Sequence, residues 1–425
     1  MNGRGSVGNG KVGGKLAGLG GMSAAVASGR QGQRQKQQEG KETRGPHNLI
    51  IRSEWDAAKG ARMETGCNQP EPVKLIELTV IVPARNEEES LGACLHSLVS
   101  QSEEIFLLGR DGELGRDWEL IVVDDHSSDR TAEIARGFAG VTVMKAAELE
   151  PGWTGKNNAL WTAAKRARGR WLLFTDADTM HEPGDLRRAI HEASKHKAGM
   201  LSYSPRQMAS GLVQRSLMPL VFCELALAYP PAKVSDPNER IAAANGQFLL
   251  VEREAYRRLG GHASVADKVL EDVELAFLAK RRKVTLRFRY AEDALAARMY
   301  RSTAAMIEGW TKNLALLFDN TLALAAWRAL DIALLVGLPV LAVWLWNGRF
   351  AAHSLQWLGA GWVLALLWLR TLFRFYGRVA KSNFPFLDCV LSPLGLPLFI
   401  VLLCRSWFQH RILKRVSWKG RSYAA

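Results

Sequence analysis

Cysteine is sparse in this chain and scattered. There are five, Cys67, Cys94, Cys223, Cys389 and Cys404, with no C-x-x-C pair, which excludes a zinc ribbon and argues against a disulfide framework. A reducing compartment fits. No G-x-G-x-x-G follows the first strand pattern, so a nicotinamide or flavin fingerprint is missing. Residues 1–74 have hardly any aromatics, no apolar periodicity, no signal-peptide core and no run long enough to cross a membrane. Rich in Gly, Gln, Lys and Arg, they cannot bury enough surface to offset their ordering entropy and read as a solvated basic tail. Acid is in deficit as well, for 56 Lys and Arg against 42 Asp and Glu leave a formal charge of +14. Nucleic acid or an anionic membrane surface would each answer such a charge. The apolar runs beyond residue 327 favour the membrane, and no nucleic-acid partner is expected. The length of 425 residues allows a core domain with an appendage.

The texture changes at Leu78. Leu78–Val82 (LTVIV), Glu119–Val123 (ELIVV), Val141–Met144 and Trp171–Thr175 are short apolar runs of the kind buried on both faces of a parallel sheet. Helical patterns over Glu88–Val99, Arg130–Phe138 and Asn157–Ala167 alternate with them, which implies an α/β, doubly wound, mostly parallel sheet. Asp129 is a plausible N-cap for the second of these helices. A polar insertion, Ser102–Asp117, interrupts the series.

The strand ends carry the chemistry. Trp171–His181 (WLLFTDADTMH) climbs to Phe174 and stops at Asp176-Ala177-Asp178, at the carboxyl edge where open α/β sheets bind ligands. Alone, D-x-D reads as a helix cap. Its neighbours raise it to a site for Mg²⁺ or Mn²⁺, which take carboxylates when a diphosphate supplies the other oxygens. Asp124 or Asp125, ending the second strand, can accept from a pyrimidine N–H while the loop Pro83, Ala84, Asn86 and Glu87 after the first strand meets the base. Lys156, beside Gly155 at a helix N-terminus, suits a phosphate. Each piece is weak; the ordered set V-P-A-R-N-E, V-V-D-D-x-S-x-D, G-K and D-A-D is specific.

On those motifs residues 78–180 resemble the inverting family 2 glycosyltransferases of GT-A fold. Gly260-Gly261-His262, the R-M-Y ending at Tyr300, Glu308–Lys312 and Trp418–Tyr423 are similar to the carotenoid-acid branch, and Gly152–Lys156 with Thr175–Pro183 to hopanoid-associated members. The resemblance implies that Asp124 and Asp125 hold the nucleobase and ribose, that Asp176 and Asp178 bind diphosphate and metal, and that Lys156 meets the donor phosphates. It further implies that Asp272, in Leu270-Glu271-Asp272, is the general base of a single displacement. A cap at the start of helix Glu271–Arg281 is the plainer reading of both acids. The family's Q-x-x-R-W motif is absent from Glu308–Lys312, which leaves Lys312, Arg298 and Arg301 as substitutes for its arginine.

Other segments carry simpler expectations. Met200–Ser204 reads as an edge strand and Ala242–Val251 as a strand, with Asn245-Gly246 either a bulge or a close approach to the donor sugar. Leu212–Tyr229 reads as a core or interfacial helix, with Cys223 and Glu224 in packing and solvation roles. His262 reads as a solvated loop residue, and Trp310 as the tryptophan of the family's helix motif or as an interface anchor. Ala329–Trp346, Ser354–Leu369 and Phe384–Cys404 are apolar, the middle one short for a span. The basic stretches Arg370–Lys381 and Arg405–Arg421 both belong on the cytosolic side, so the third apolar segment is expected to be re-entrant, breaking at Ser392–Pro397, or to lie shallowly.

These readings give four segments: a tail over 1–74, a glycosyltransferase domain over 75–326, membrane segments over 327–405 and a basic cytoplasmic tail over 406–425. The expected protein is a multi-pass membrane enzyme with its catalytic domain in the cytoplasm. It would move a sugar from a nucleotide donor, UDP-glucose-like, to a lipophilic acceptor such as a carotenoid or terpenoid, with membrane lipid as a further partner and polyprenyl phosphate as the alternative acceptor. A nucleotidyltransferase would show a Gly-rich basic loop where A-R-N-E-E stands, and a non-catalytic scaffold would have lost the acids.

Overall fold

The computed structural model describes residues 76–102, 106–108, 117–347, 355–418 and 421–424. The expected N-terminal tail and most of the Ser102–Asp117 insertion lie outside them. The V/I/L runs form β1 (Ile76–Ala84), β2 (Trp118–Asp124), β3 (Val141–Lys145) and β4 (Gly169–Phe174). Between them come α1 (Leu91–Val99), α2 (Thr131–Arg136) and α3 (Gly155–Ala164). Thr154 caps α3 by accepting from the Asn157 N–H at 3.2 Å. The residue that caps α2 is Arg130 and not the expected Asp129, which lies one position earlier and accepts from the Thr131 N–H at 3.0 Å.

Past β4 the chain makes β5 (Thr179–His181), α4 (Asp185–Lys195), β6 (Met200–Ser204), β7 (Arg206–Gln207), α5 (Gly211–Ala228), α6 (Pro231–Ser235) and β8 (Leu249–Glu252). Then follow α7 (Arg253–Arg258), α8 (Glu271–Arg281), β9 (Leu286–Tyr290), β10 (Leu295–Ala297) and α9 (Thr303–Leu317). The main sheet has seven strands in the order β3-β2-β1-β4-β8-β6-β9. All neighbours pair in parallel except that β8 runs against both β4 and β6. The strand order reverses about β1, so the crevice beyond Ala84 and Phe174 is the expected place for a ligand. Because β8 is reversed, its N-terminal approach, Gly246 and Gln247, arrives at that same edge.

Three expectations change. Met200–Ser204 is interior, since β9 pairs outside it. Ala242–Val251 is a strand only from Leu249, because Asn245 is held by Ser202, whose Oγ accepts its N–H at 2.8 Å, and the Phe248 N–H turns back to the Asn245 carbonyl at 3.0 Å. Asn245-Gly246 is therefore a loop rather than a bulge.

A second apolar core lies among α5, α9, α10 (Thr321–Asn347), α11 (Leu355–Val379) and α12 (Phe386–Phe408). Among the described residues three helical stretches are long and apolar enough to cross a membrane: Gly211–Ala228, Thr321–Leu345 and Phe386–Leu413. The set differs from expectation. Gly211–Ala228, in α5, joins it, and the start of Ser354–Leu369 lies outside the described residues, while α11 runs on through the expected basic loop and carries Arg370, Arg374 and Arg378 on helix. Nor does the last segment break at Ser392–Pro397; α12 continues through Pro393 and Pro397. Gly395 there lets the backbone of α12 lie against Ser216 of α5, where a Cβ would collide with the Ser216 carbonyl.

Charge within this bundle is paired. Arg215 donates to Asp388 at 2.6 Å. Arg328 joins Glu224 at 2.8 Å and Asp331 at 3.1 Å, and Arg378 joins Asp331 at 2.6 Å. Two acids and two arginines share the low-dielectric interior, where losing one partner would leave a costly orphan charge. Trp310 is a core residue and not an interface anchor: it is 2 % exposed and its Nε1 points at Met218 Sδ, 3.4 Å away.

Candidate active site

The loops after β1 and β2 are tied to each other before any ligand is considered. Asn86, at φ 53°, accepts from the Ser128 N–H at 2.9 Å and donates its own N–H to Ser127 Oγ at 3.1 Å. The Glu87 N–H reaches Thr131 Oγ1 at 2.8 Å. Asp124 and Asp125 are both buried, and Asp124 accepts from the Ser127 N–H at 3.1 Å. The Asp125 N–H donates to the Ala84 carbonyl at 2.8 Å, and the Arg85 guanidinium lies 3.8 Å from its carboxylate. These two strand ends thus form one wall, with the Asp124 and Asp125 carboxylates held beside the Pro83–Ala84 backbone.

The D-x-D turn follows β4. Thr175 N bonds back to Ile81, and Thr179 N to the Asp176 carbonyl at 3.2 Å, which curls the chain so that the two acids no longer alternate as in a strand. The Arg298 N–H holds the Asp178 carbonyl at 3.0 Å. Burial, the charge of Asp176 and the charge of Glu87 push the Asp178 carboxyl up to about 7. Cys94 behind the turn donates its thiol toward the Asp176 carbonyl at 3.7 Å.

Opposite the turn stands α8. Asp272 accepts the Gly246 N–H at 2.6 Å with one oxygen and the Val273 N–H at 2.8 Å with the other. Burial and then the Glu271 charge raise its carboxyl to about 7, against the pull of Lys156 and these two N–H groups. Lys156, at the start of α3, spans the gap, with Nζ 2.8 Å from Asp176 and 2.8 Å from Glu271. Burial would lower its pKa, but the Asp176, Glu271 and Asp272 charges override that and hold the ammonium well above its ordinary value. Gly246 closes the corner, where a Cβ would sit 3.0 Å from Lys156 Nζ and 3.4 Å from Asp272. Pro83, Phe174 and His262 line the same small pocket.

The structure therefore brings Pro83, Lys156, Asp176 and Asp272 to one pocket, with Asp178 beside Asp176 and the Asp124–Asp125 wall along the same sheet edge. Sequence reasoning gave Glu271 only a capping role, yet it is the second anchor of Lys156. Its one signal was adjacency to Asp272. His262 is 1 % exposed instead of solvated, bonded through Nδ1 to the Tyr256 hydroxyl at 2.7 Å and edge-on to Phe174. Burial, with the Lys156 charge second, lowers it to about 3, so it is neutral. Of the substitutes for the missing arginine, Arg301 is bound to Glu89 at 3.1 Å, while Lys312 faces the acids. Burial lowers Lys312 to about 8 although Glu271, Asp272 and Asp176 oppose this.

Could this turn hold a divalent ion? No group of three or more His, Cys, Asp or Glu side chains converges for one among the described residues. Two hard carboxylates stand at Asp176 and Asp178, and the burial and neighbouring acids that raise the Asp178 carboxyl are penalties on its charged form that a cation would relieve. That fits an ion sharing its coordination with a diphosphate, as Mg²⁺ and Mn²⁺ do.

A mostly parallel α/β sheet thus presents acids at its switch-point strand ends, where open α/β sheets bind ligands, with a further acid facing them from a helix start. Residues 79–260 match the model of glycosyl transferase family 2, and the chain is a glycosyltransferase with a domain of that family. It is similar, at 25 % identity over 82 % of this chain and 88 % of the relative, to the 4,4'-diaponeurosporenoate glycosyltransferase of Staphylococcus aureus. Among solved structures it is similar to a mannosyltransferase from Pyrobaculum calidifontis in complex with GDP-Man and Mn²⁺, with 22 % identity, 82 % of this chain and 95 % of that one covered, and a TM-score of 0.43. It is also similar to the glucosyl-3-phosphoglycerate synthase of Mycobacterium tuberculosis, with 18 % identity, 57 % and 78 % covered, and a TM-score of 0.36.

Proposed function

We propose that this chain transfers a sugar, with inversion, from a nucleotide-sugar donor of the UDP-glucose type to a lipophilic acceptor of carotenoid or terpenoid kind. The observation that carries the reading is the meeting of Asp176 and Asp272, from a strand end and a helix start, about the Lys156 ammonium and the Gly246 backbone. The wall of Pro83, Ala84, Asn86, Glu87, Asp124 and Asp125 receives the nucleoside. Asp176 and Asp178 hold Mg²⁺ or Mn²⁺, which when bound supplies positive charge against the diphosphate as it leaves. Lys156 then shifts from Asp176 toward the donor phosphates, still anchored by Glu271. Asp272, with a carboxyl near 7, takes the acceptor proton during the displacement.

The carotenoid relative and three apolar helices support a lipophilic acceptor and a membrane setting. Large apolar side chains on α10 to α12 face outward, among them Trp327, Trp344, Trp362, Phe373 and Phe386. Such a surface is expected of helices in lipid and not of helices in water.

The test is incubation of membranes with labelled UDP-glucose and extracted lipids. Asp178→Asn abolishes the labelled lipid. Asp272→Asn keeps UDP binding and loses about 10²–10⁴-fold in transfer, the range of general-base catalysis. Full labelling by the Asp178 variant removes the metal site. Full transfer by the Asp272 variant makes the acceptor a carboxylate that needs no base, as the name of the carotenoid relative implies for that enzyme.

A further inference from the structure

Behind Asp178 lies a chain of buried polar groups to which the mechanism assigns nothing. Gln247, 3 % exposed, points its Nε2 at Asp178 Oδ1, 3.5 Å away, and its Oε1 accepts from Gln207 Nε2 at 2.8 Å. Gln207, 6 % exposed, directs the same nitrogen at the Pro205 carbonyl at 3.4 Å. The Pro205 carbonyl at one end can only accept, as can Asp178 at the other when ionised. That fixes the direction of both amides: nitrogen toward Pro205, nitrogen to oxygen between the glutamines, nitrogen toward Asp178. The arrangement leaves Gln207 Oε1 buried without a hydrogen-bond partner. A buried orphan acceptor is destabilising, and its retention marks a group kept for some purpose other than stability.

The main chain of Gln247 is clamped from the other side. Thr175 Oγ1 donates to the Gln247 carbonyl at 2.8 Å. Having spent its proton there, Thr175 accepts from His181 Nε2 at 3.1 Å, which places a hydrogen on that nitrogen. His181 Nδ1 in turn meets Asp185 Oδ2 at 2.7 Å, and both side chains are wholly shielded from solvent. His181 lies on β5 and Gln207 on β7, and β10 pairs with both. The small three-stranded sheet thus carries both clamps on Gln247.

We propose that Gln247 is a positioning residue that aims the Asp178 carboxylate into the crevice, with Gln207 and the series Thr175–His181–Asp185 fixing Gln247 in turn. The inference rests on the assignment of Asp178 as a metal ligand. Its physical content is that a ligating carboxylate needs an outer hydrogen bond to hold its orientation, and that loss of such a partner typically costs 10–100-fold in metal affinity.

The experiment measures Mn²⁺ binding to the purified full chain in detergent with UDP saturating, because the ion is assigned to share its coordination with a diphosphate, from the spectroscopic signal of free Mn²⁺ after subtracting the Mn²⁺ that UDP alone holds. Melting temperature and metal-free UDP binding are recorded alongside. Gln247→Met, which keeps the shape and removes the donor, weakens Mn²⁺ binding about tenfold and leaves UDP binding unchanged. Gln207→Glu presents an acceptor where a donor stood, so the Gln247 amide turns round and shows its oxygen to Asp178. It weakens binding about tenfold, and by more than Gln207→Met, which only releases the amide. Folded Gln247→Met with Mn²⁺ affinity within about twofold of wild type overturns the proposal, since an aimed carboxylate would have lost its aim. If that variant fails to fold, equal affinities for Gln207→Glu and Gln207→Met overturn it instead. Asp178→Asn binding Mn²⁺ as tightly as wild type, or a wild type that binds none, overturns the metal assignment itself, and is thereby told apart from failure of the positioning role alone.

Discussion

Removing the Lys156 ammonium should leave acids facing one another across a gap with their shared counter-ion gone. Lys156→Met keeps most of the packing volume and deletes two contacts of 2.8 Å, to Asp176 and Glu271. Breaking a buried ion pair from one side costs about 3–5 kcal/mol. The Lys156 side chain is 36 % exposed and that of Asp176 28 %, so solvent screening brings this to about 2 kcal/mol. For a domain of this size that is about 4–8 °C in melting temperature. The sign with pH follows from Asp178 and Asp272. Both carboxyls are already raised to about 7, with Lys156 among the influences holding them down. A raised carboxyl means that the folded state binds more protons than the unfolded one. The stability it contributes is complete below the unfolded value near 4 and lost as pH rises through the folded value. Deleting Lys156 lifts both carboxyls further, so the variant should lie near wild type at pH 5 and fall away from it toward pH 8. Mn²⁺ should stabilise the folded variant by about 2.7 kcal/mol at a hundredfold excess over its dissociation constant, enough to offset the loss. Thermal unfolding in detergent at pH 5, 6.5 and 8, with and without Mn²⁺, measures all of this. Equal melting of variant and wild type at pH 8, or a gap that widens toward pH 5, would refute the counter-ion role.

Three further outcomes are expected. With metal saturating, transfer should rise with pH through about 7 as Asp272 loses its proton, and a flat profile between pH 5.5 and 8 would take Asp272 out of proton transfer. Gly261→Ala should cost about 3 kcal/mol in denaturant unfolding, because φ is +57° and a Cβ would stand 2.6 Å from the Trp161 ring and 2.7 Å from Tyr256. Gly184→Ala, at φ +76° with nothing within 4 Å, should cost only about 1 kcal/mol. Gly395→Ala should push α12 off the Ser216 backbone and lower the melting temperature in detergent, whereas Gly337→Ala, with nothing within 4 Å, should be neutral or stabilising by up to about 1 kcal/mol. Equal effects at the two helix glycines would remove the close-packing account of Gly395.

Much of the sheet edge was legible because its signals are local. A run such as ELIVV announces a strand buried on both faces, and the acids that follow it stand where that strand must end. Long-range pairing is not announced in the same way. Met200–Ser204 looks like an edge strand because nothing in it specifies that β9 will lie outside. Ala242–Val251 is apolar at both ends and reads as a strand, yet Ser202 holds Asn245 and keeps the first half a loop. His262 follows two glycines and so reads as exposed. The positive φ values of Gly260 and Gly261, 76° and 57°, turn the chain inward instead and bury the ring on Phe174. Pro393, Gly395 and Pro397 resemble a helix break, but a glycine facing another helix serves close approach, and only the partner helix reveals this.

The site depends on the one strand that sequence pattern could not orient. Were β8 parallel to β4, its carboxyl end would reach the crevice and the Gly246–Gln247 loop would lie at the far edge of the sheet. Reversal delivers that loop to the D-x-D turn, where the Gly246 N–H meets Asp272 and the Gln247 amide meets Asp178. The same reversal explains why Gly stands at 246. The backbone there lies within reach of Lys156, Glu271 and Asp272, and a side chain would have to displace at least one of them. An acid from β4, an acid from α8 and a cation from α3 can therefore share one small volume, because the backbone between them carries no side chain of its own.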